Sequence, residues 1–342
     1  MSAHDIPAMP DPAEIFAAFT AFHRTGALKA AIELDLFSAI AAGAATADDL
    51  ARRCGASLRG VRILADFLAT GGFLAKEGTR YALTPTTATF LDRSSPAYMG
   101  SAATFLTSSM MWESFANVGA AVRKGGTVAP GEGVVAAENP MWVEFARAMA
   151  APATFAARLV ANVLEVPKAP PWKVLDVAAG HGMFGITLAQ ANPRAEIVAL
   201  DWANVLTVAE ENARAAGVQD RFRTIKGNAF EVDLGAGYDL VLLPNFLHHF
   251  DVAMCEAFLR RVRAALVPGG RAVTVEFIPD ESRVTPTVAA SFALVMLVGT
   301  PAGDAYTFAE LERMFRNAGF ERSELRELPP SFQRAVVSTK GS

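Results

Sequence analysis

Apolar positions are spaced in two different ways along this chain. From residue 11 to about 42 they recur at helical intervals: Ile15, Phe16, Phe19 and Phe22, then Ala31, Ile32, Leu34, Leu36, Phe37 and Ile40. That spacing predicts helix. Thr46, followed by Asp48 and Asp49, caps a short helix that Gly55 ends. Ser57 opens a second helix carrying Val61, Leu64 and Leu68, up to Gly71-Gly72. Two short strand-like runs, 73–74 and 81–83, complete a helix, turn, helix, hairpin order, which is a winged-helix pattern. Residues 98–164 read as helix again, with a Gly/Pro-rich break at 125–133. Pro167, Pro170 and Pro171 cannot continue a helix and mark a domain boundary.

Beyond residue 171 the pattern changes to apolar strands alternating with helices. Residues 174–177, 196–200, 222–226, 238–243 and 271–277 read as strands, with 331–338 as a last one. Helices are expected up to about 191 and over 205–216, 251–265 and 308–318. Strands that are apolar throughout are buried on both faces, so a mostly parallel sheet covered by helices is expected. The fold class is therefore α/β: a Rossmann-like, mostly parallel sheet with helices on both faces, preceded by a mainly helical winged-helix region. The expected division is 1–97, a helical region 98–165, and a ligand-binding domain 166–342.

Composition narrows the function. Of 342 residues, 52% are hydrophobic and 19% charged, enough to fill large cores. The net charge of −4 argues against a protein whose main task is gripping nucleic acid. The winged-helix segment carries only a mild positive excess without a dense basic stripe, so packing or dimerisation is expected of it. Cys54 and Cys255 are the only cysteines, and neither has a second Cys or paired His nearby in sequence, so no disulfide framework and no metal site is expected. The acidic, Pro-rich N-terminus lacks signal-peptide order, and the apolar run 288–298 is about half a membrane span. A cytoplasmic protein without membrane contact is the expectation.

The chemistry concentrates where the first long strand ends. It runs into Ala178-Ala179-Gly180-His181-Gly182-Met183-Phe184-Gly185. Gly180, Gly182 and Gly185 fit G-x-G-x-x-G, a turn that lets a ligand lie against backbone at a helix start. On its own that motif is also a dinucleotide fingerprint. Asp176, four residues before Gly180, discriminates. A carboxylate there repels a pyrophosphate and suits a ligand bearing an ammonium group, such as S-adenosylmethionine. Asp201, ending the second strand, can accept hydrogen bonds from both ribose hydroxyls of either cofactor.

The segments LDVAAGHG, IVALDWANV, KGNAF, NFLHHFD and LVPGGRAVTVEFIPDE follow in the order of the class I methyltransferases. More narrowly, nearly the whole chain resembles the small-molecule O-methyltransferases of plant phenolic and bacterial natural-product metabolism. Those enzymes join a winged-helix dimerisation region to a Rossmann-like catalytic domain. The resemblance implies a homodimer, S-adenosylmethionine as cofactor with S-adenosylhomocysteine as product, no metal, and a small aromatic acceptor. It implies that Ala178 and Gly180 approach the methionine part, Asp201 holds the ribose and Trp202 flanks the adenine. Asn228 and Ala229 would meet the adenine with Phe230 nearby, and Asn245 would lie beside the cofactor. His248 falls at the family's general base, and Glu276 at the glutamate that orients it. Trp112, Phe145, Met149, Phe292 and Met296 are candidates for an apolar acceptor pocket.

The sequence departs from the family pattern at three points. Ala178 replaces a glycine, Asn228 replaces an aspartate, and Ala305-Tyr306-Thr307 stands where a second glutamate is expected. The last change leaves room for N- or C-methylation, decarboxylation or hydroxylation with the same cofactor. An NAD-dependent oxidoreductase and a winged-helix DNA-binding regulator are the readings from other classes.

Overall fold

The computed structural model describes residues 11–342. The chain divides into two compact units, Met1–Thr107 and Ser108–Ser342.

In the first unit, α1 (Ala13–Phe19), α2 (Ala21–Glu33) and α3 (Leu36–Ala41) replace the continuous helix expected over 11–42. The break before α3 is Asp35, in the left-handed region at φ 55°. Thr46 forms a capping box with Asp49 at α4 (Ala47–Arg53), and Ser57 caps α5 (Leu58–Thr70). The hairpin of β1 (Leu74–Glu77) and β2 (Arg80–Leu83) follows, then α6 (Pro85–Phe90) and α7 (Ala102–Leu106). Leu36, Phe37, Leu50, Val61, Leu68 and Tyr81 fill this unit's core. Leu36 and Phe37 are internal, because α3 packs against α2, α4 and β2. Phe16, Phe19 and Phe22 remain 63%, 69% and 52% exposed.

The second unit begins with α8 (Ser109–Ala116), α9 (Val118–Lys124) and the long α10 (Met141–Val163). A seven-stranded sheet follows: β3 (Lys173–Val177), β4 (Glu196–Asp201), β5 (Phe222–Lys226), β6 (Tyr238–Pro244), β7 (Leu266–Glu276), β8 (Arg322–Glu327) and β9 (Arg334–Thr339). Its order is β5-β4-β3-β6-β7-β9-β8, with only β9 antiparallel to both its neighbours. The connecting helices are α11 (Met183–Ala191), α12 (Ala203–Ala215), α13 (Val252–Ala265), α14 (Thr287–Gly299) and α15 (Phe308–Asn317).

Alternation along the strands feeds two cores. Val174, Leu240, Leu242 and Val273 face α10 and α11, whereas Leu175, Val241, Leu243 and Ala272 face α13 and α15. The proline-rich stretch lies inside this unit. Val166 is fully buried and packs with Val160 of α10 and Trp172, so α10 belongs with the sheet. The strand order reverses between β3 and β6, and in open α/β sheets that switch point is where ligands bind. No helix among the described residues is long and apolar enough to cross a membrane.

Candidate active site

Four carboxyl ends of strands converge at the switch point. Asp176 is the next-to-last residue of β3, Asp201 ends β4, Asn245 follows β6, and Glu276 ends β7. The turn after β3 is left-handed at Ala178, Gly180 and Gly182, with φ of 50°, 58° and 72°. Ala178 accepts this strain where a glycine would not feel it.

Asp176 is completely buried. Its Oδ2 accepts from the Gly185 amide at 2.9 Å. Gly185 lies in the first turn of α11, so Asp176 supplies a cap that Gly182, lacking a side chain, cannot. Its Oδ1 is buried without a hydrogen-bond partner. Burial, reinforced by the charge of Asp201, pushes the Asp176 carboxyl up to about 7. The carboxylate is therefore sealed beneath the loop, and a ligand above feels its field rather than touching it. Asp201 accepts from the Gly180 amide through Oδ2 and from the Trp202 amide through Oδ1, both at 2.7 Å. Burial raises its carboxyl to about 6. Trp202 immediately precedes α12 and packs half-buried with Val205, Val208 and Ala146. His181, between the two glycines, is pushed down to about 4 by burial. Its Nδ1 accepts from the Met183 amide, so the ring is neutral and structural.

The loop after β5 is tied within itself. Asn228 Oδ1 accepts from the Phe230 amide at 3.0 Å, and Nδ2 donates to Glu231 at 2.9 Å. Arg261 of α13 donates to the carbonyls of Ala229 and Val232. The Phe230 ring packs among Phe246, Phe250 and Phe258.

Beyond β6 the chain turns at Asn245, left-handed at φ 54°, whose amide donates to the Val275 carbonyl at 2.8 Å. A 3-10 turn, Leu247–His249, then folds over the end of β7. Glu276 Oε1 accepts from the Phe246 and Leu247 amides at 3.1 and 3.0 Å, and Oε2 bonds the His248 Nδ1. Both side chains are nearly sealed from solvent. Two backbone donors and one imidazole donor satisfy the buried carboxylate. With Nδ1 giving its proton to Glu276, the lone pair of His248 lies on Nε2.

Aromatic rings surround this dyad. The ring of Phe292 meets that of His248 edge-on at 4.9 Å, and Phe277 stacks on Phe292 at 3.8 Å. Phe332 flanks Phe277 at 5.6 Å. His249 sits beside His248 and contacts Trp142, which in turn contacts Phe145. Burial and the neighbouring His248 hold His249 well below the ordinary histidine range. Of the expected pocket residues, Phe292 reaches the dyad directly and Phe145 through Trp142. Met296 is buried on α14, Met149 is half-buried on α10, and Trp112 is 42% exposed on α8.

Where the second glutamate was expected, Ala305 is buried and Tyr306 donates to the Phe250 carbonyl at 2.5 Å. This loop lies against the dyad's backbone. The Asp304 amide donates to the His248 carbonyl at 3.0 Å, and a Cβ on Gly303 would stand 2.2 Å from that oxygen. Phe277, Phe332, Trp142, Gly303 and Gln333 escaped the sequence reading, since nothing local marks them. They reach the site by register and loop placement.

Comparison with known proteins places the chain in a family. Residues 116–321 match the O-methyltransferase domain, and residues 16–93 match the O-methyltransferase dimerisation domain. The chain is 30% identical to 3-hydroxy-5-methyl-1-naphthoate 3-O-methyltransferase of Streptomyces sahachiroi, over 94% of this chain and 93% of that protein. It is 28% identical to the tetracenomycin polyketide synthesis 8-O-methyl transferase of Streptomyces glaucescens, over 90% and 91%. Among solved structures, a candidate O-methyltransferase from Nostoc punctiforme superposes with a TM-score of 0.91 at 49% identity, covering 97% of this chain and 100% of that one. The glycine turn, the carboxylates at the strand ends and the match over both regions make this chain a member of the O-methyltransferase family, with the family's dimerisation domain at its N-terminal side.

Proposed function

We propose that this protein is an S-adenosylmethionine-dependent O-methyltransferase acting on a hydroxyl of a small aromatic natural product. The buried His248–Glu276 pair at the end of β7 is the observation that carries the reading. The residues at the switch point suit the cofactor. A left-handed glycine turn leaves backbone open to a ligand, Asp201 offers carboxylate oxygens to ribose hydroxyls, and a cation bound above the buried Asp176 would be favoured by its ionised form and would hold it ionised. Ala178, Gly180, Gly182 and Asn245 would border the amino-acid end, and Trp202, Asn228 and Ala229 the adenine. When bound, the cofactor supplies an electrophilic methyl carbon on a sulfonium.

The chain's own residues then have three tasks. Phe292, with Phe277 behind it, presents an aromatic face against which a flat acceptor can lie. His248 Nε2 takes the proton of the acceptor hydroxyl, whose pKa near 10 leaves a free phenol mostly protonated at neutrality. Glu276 fixes the tautomer and offsets the charge of the imidazolium that forms. Burial of His248, Glu276 and His249 keeps water from competing for the methyl group.

A second reading rests on Ala305. With alanine where the family has a second glutamate, proton transfer is less assisted, and methylation at a neutral amine nitrogen, which attacks through its own lone pair, would need less of it. The test is incubation with methyl-deuterated cofactor and a panel of hydroxylated naphthoates, phenols and anilines, using wild type and His248→Ala. Label on oxygen, and a turnover lowered by about 10²–10⁴ in the variant with S-adenosylhomocysteine affinity kept, supports the proposal. Label on nitrogen or carbon, or equal turnover in both proteins, sinks it.

A further inference from the structure

We infer that Gln333 is a positioning residue. It sets the side-chain amide of Asn245 so that only hydrogen-bond donors face the bound ligand, and the group they meet is the carboxylate at the cofactor's amino-acid end. This rests on reading the crevice as an S-adenosylmethionine site.

Gln333 stands just before β9, which runs antiparallel to β7 and places Arg334 opposite Glu276. The preceding Ser331 hydroxyl accepts from the Gln333 amide at 3.1 Å, fixing the turn. This brings two side chains to the site from a segment beyond residues 116–321, the part that matches the family domain. Phe332 joins the aromatic stack on Phe277, and Gln333 reaches Asn245. Gln333 is buried at 7% exposure, and its Nε2 donates to Asn245 Oδ1 at 2.5 Å.

Asn245 has little freedom of its own. Its backbone is left-handed and its amide is held by Val275. The Gln333 bond occupies its carbonyl oxygen, which leaves the Nδ2 hydrogens as what it offers to a ligand. A group that offers only donors selects an acceptor. Of the cofactor's polar groups, the ammonium is itself a donor. The ribose hydroxyls have Asp201, and the adenine belongs with the loop after β5. The α-carboxylate remains, and a charge-assisted hydrogen bond to it is the strong kind. Freed from Gln333, the Asn245 amide would be able to rotate and present its oxygen, which repels a carboxylate.

The experiment compares wild type, Gln333→Met and Gln333→Glu by calorimetric titration with S-adenosylhomocysteine and with 5′-methylthioadenosine, which lacks the amino-acid carboxylate and ammonium. Gln333→Met keeps the volume and removes the donor. Gln333→Glu can only accept and so turns the Asn245 amide around. The expected result is S-adenosylhomocysteine affinity weakened about tenfold in Gln333→Met, the size of one weakened hydrogen bond to a charged group. Gln333→Glu should lose more, and 5′-methylthioadenosine should change less than about twofold in both. Unchanged S-adenosylhomocysteine affinity, or equal losses for both ligands, overturns the inference and leaves Gln333 a packing residue. Wild type failing to bind S-adenosylhomocysteine at all would overturn the underlying function instead.

Discussion

Asp176 lies fully buried beneath the glycine turn, with its Oδ2 capping the Gly185 amide and its Oδ1 unpartnered. That burial has a consequence for pH. Burial pushes the folded carboxyl up to about 7, against about 3.9 for an Asp in the unfolded chain. Between roughly pH 4 and pH 7 the ligand-free folded protein therefore binds more protons than the unfolded chain, and stability falls as pH rises through that window. Asp176→Asn removes the titration but keeps an oxygen for the Gly185 amide. Thermal melts of ligand-free protein should show the variant more stable than wild type at pH 8, with the gap shrinking at pH 5. A gap of the same size at both values would contradict this account of Asp176. The place of Asp176 before the glycine turn was legible in the sequence, but its burial was not, because the cap it gives Gly185 depends on how α11 lands on the sheet. His248 and Glu276 could be named from their segments, but the backbone amides that satisfy Glu276 come from the 3-10 turn, which no local signal announces.

At the scale of elements, the buried parallel strands were readable because their apolar runs are continuous, and 222–226 matches β5 residue for residue. β8 was missed because four of its six residues, Arg322, Glu324, Arg326 and Glu327, are charged and none is buried, as suits an edge strand protected from pairing with another chain. α14 was hidden for the opposite reason. Its 13 residues are so uniformly apolar that no helical face stands out, yet it delivers Phe292 to His248. The β3–α11 junction depends on Gly185 for closeness. A Cβ there would stand 2.6 Å from Ile197 Cγ2 and 3.0 Å from Asp176 Oδ2. Gly185→Ala should force α11 outward, lower stability by about 1–3 kcal/mol in denaturant titration and weaken S-adenosylhomocysteine binding along with it. Wild-type stability in that variant would show that the junction has slack which the packing denies.

For the whole molecule, the change in hydrophobic period near residue 171 was legible, but the chain divides at residues 107 and 108, inside a run that reads as helix on both sides. The placement of α10 was not legible, since a proline-rich stretch reads as a linker whether or not Val166 beside it is buried. The first unit leaves Phe16, Phe19 and Phe22 exposed on α1 and α2, in a region that matches the family's dimerisation domain. Exposed aromatic side chains grouped this way signal an interface, and a homodimer is the partner that the matched domain favours. Sedimentation at micromolar concentration should give twice the chain mass, and replacing Phe16 and Phe19 with serine should shift it toward the monomer. A monomeric wild type would refute this. The most direct test of the central claim, that the switch-point crevice brings a methyl donor to His248, is a crystal structure grown with S-adenosylhomocysteine. Its ribose hydroxyls should lie on Asp201 and its sulfur should face the Nε2 side of His248. A ligand seated elsewhere, or a sulfur turned away from that imidazole, would contradict the claim.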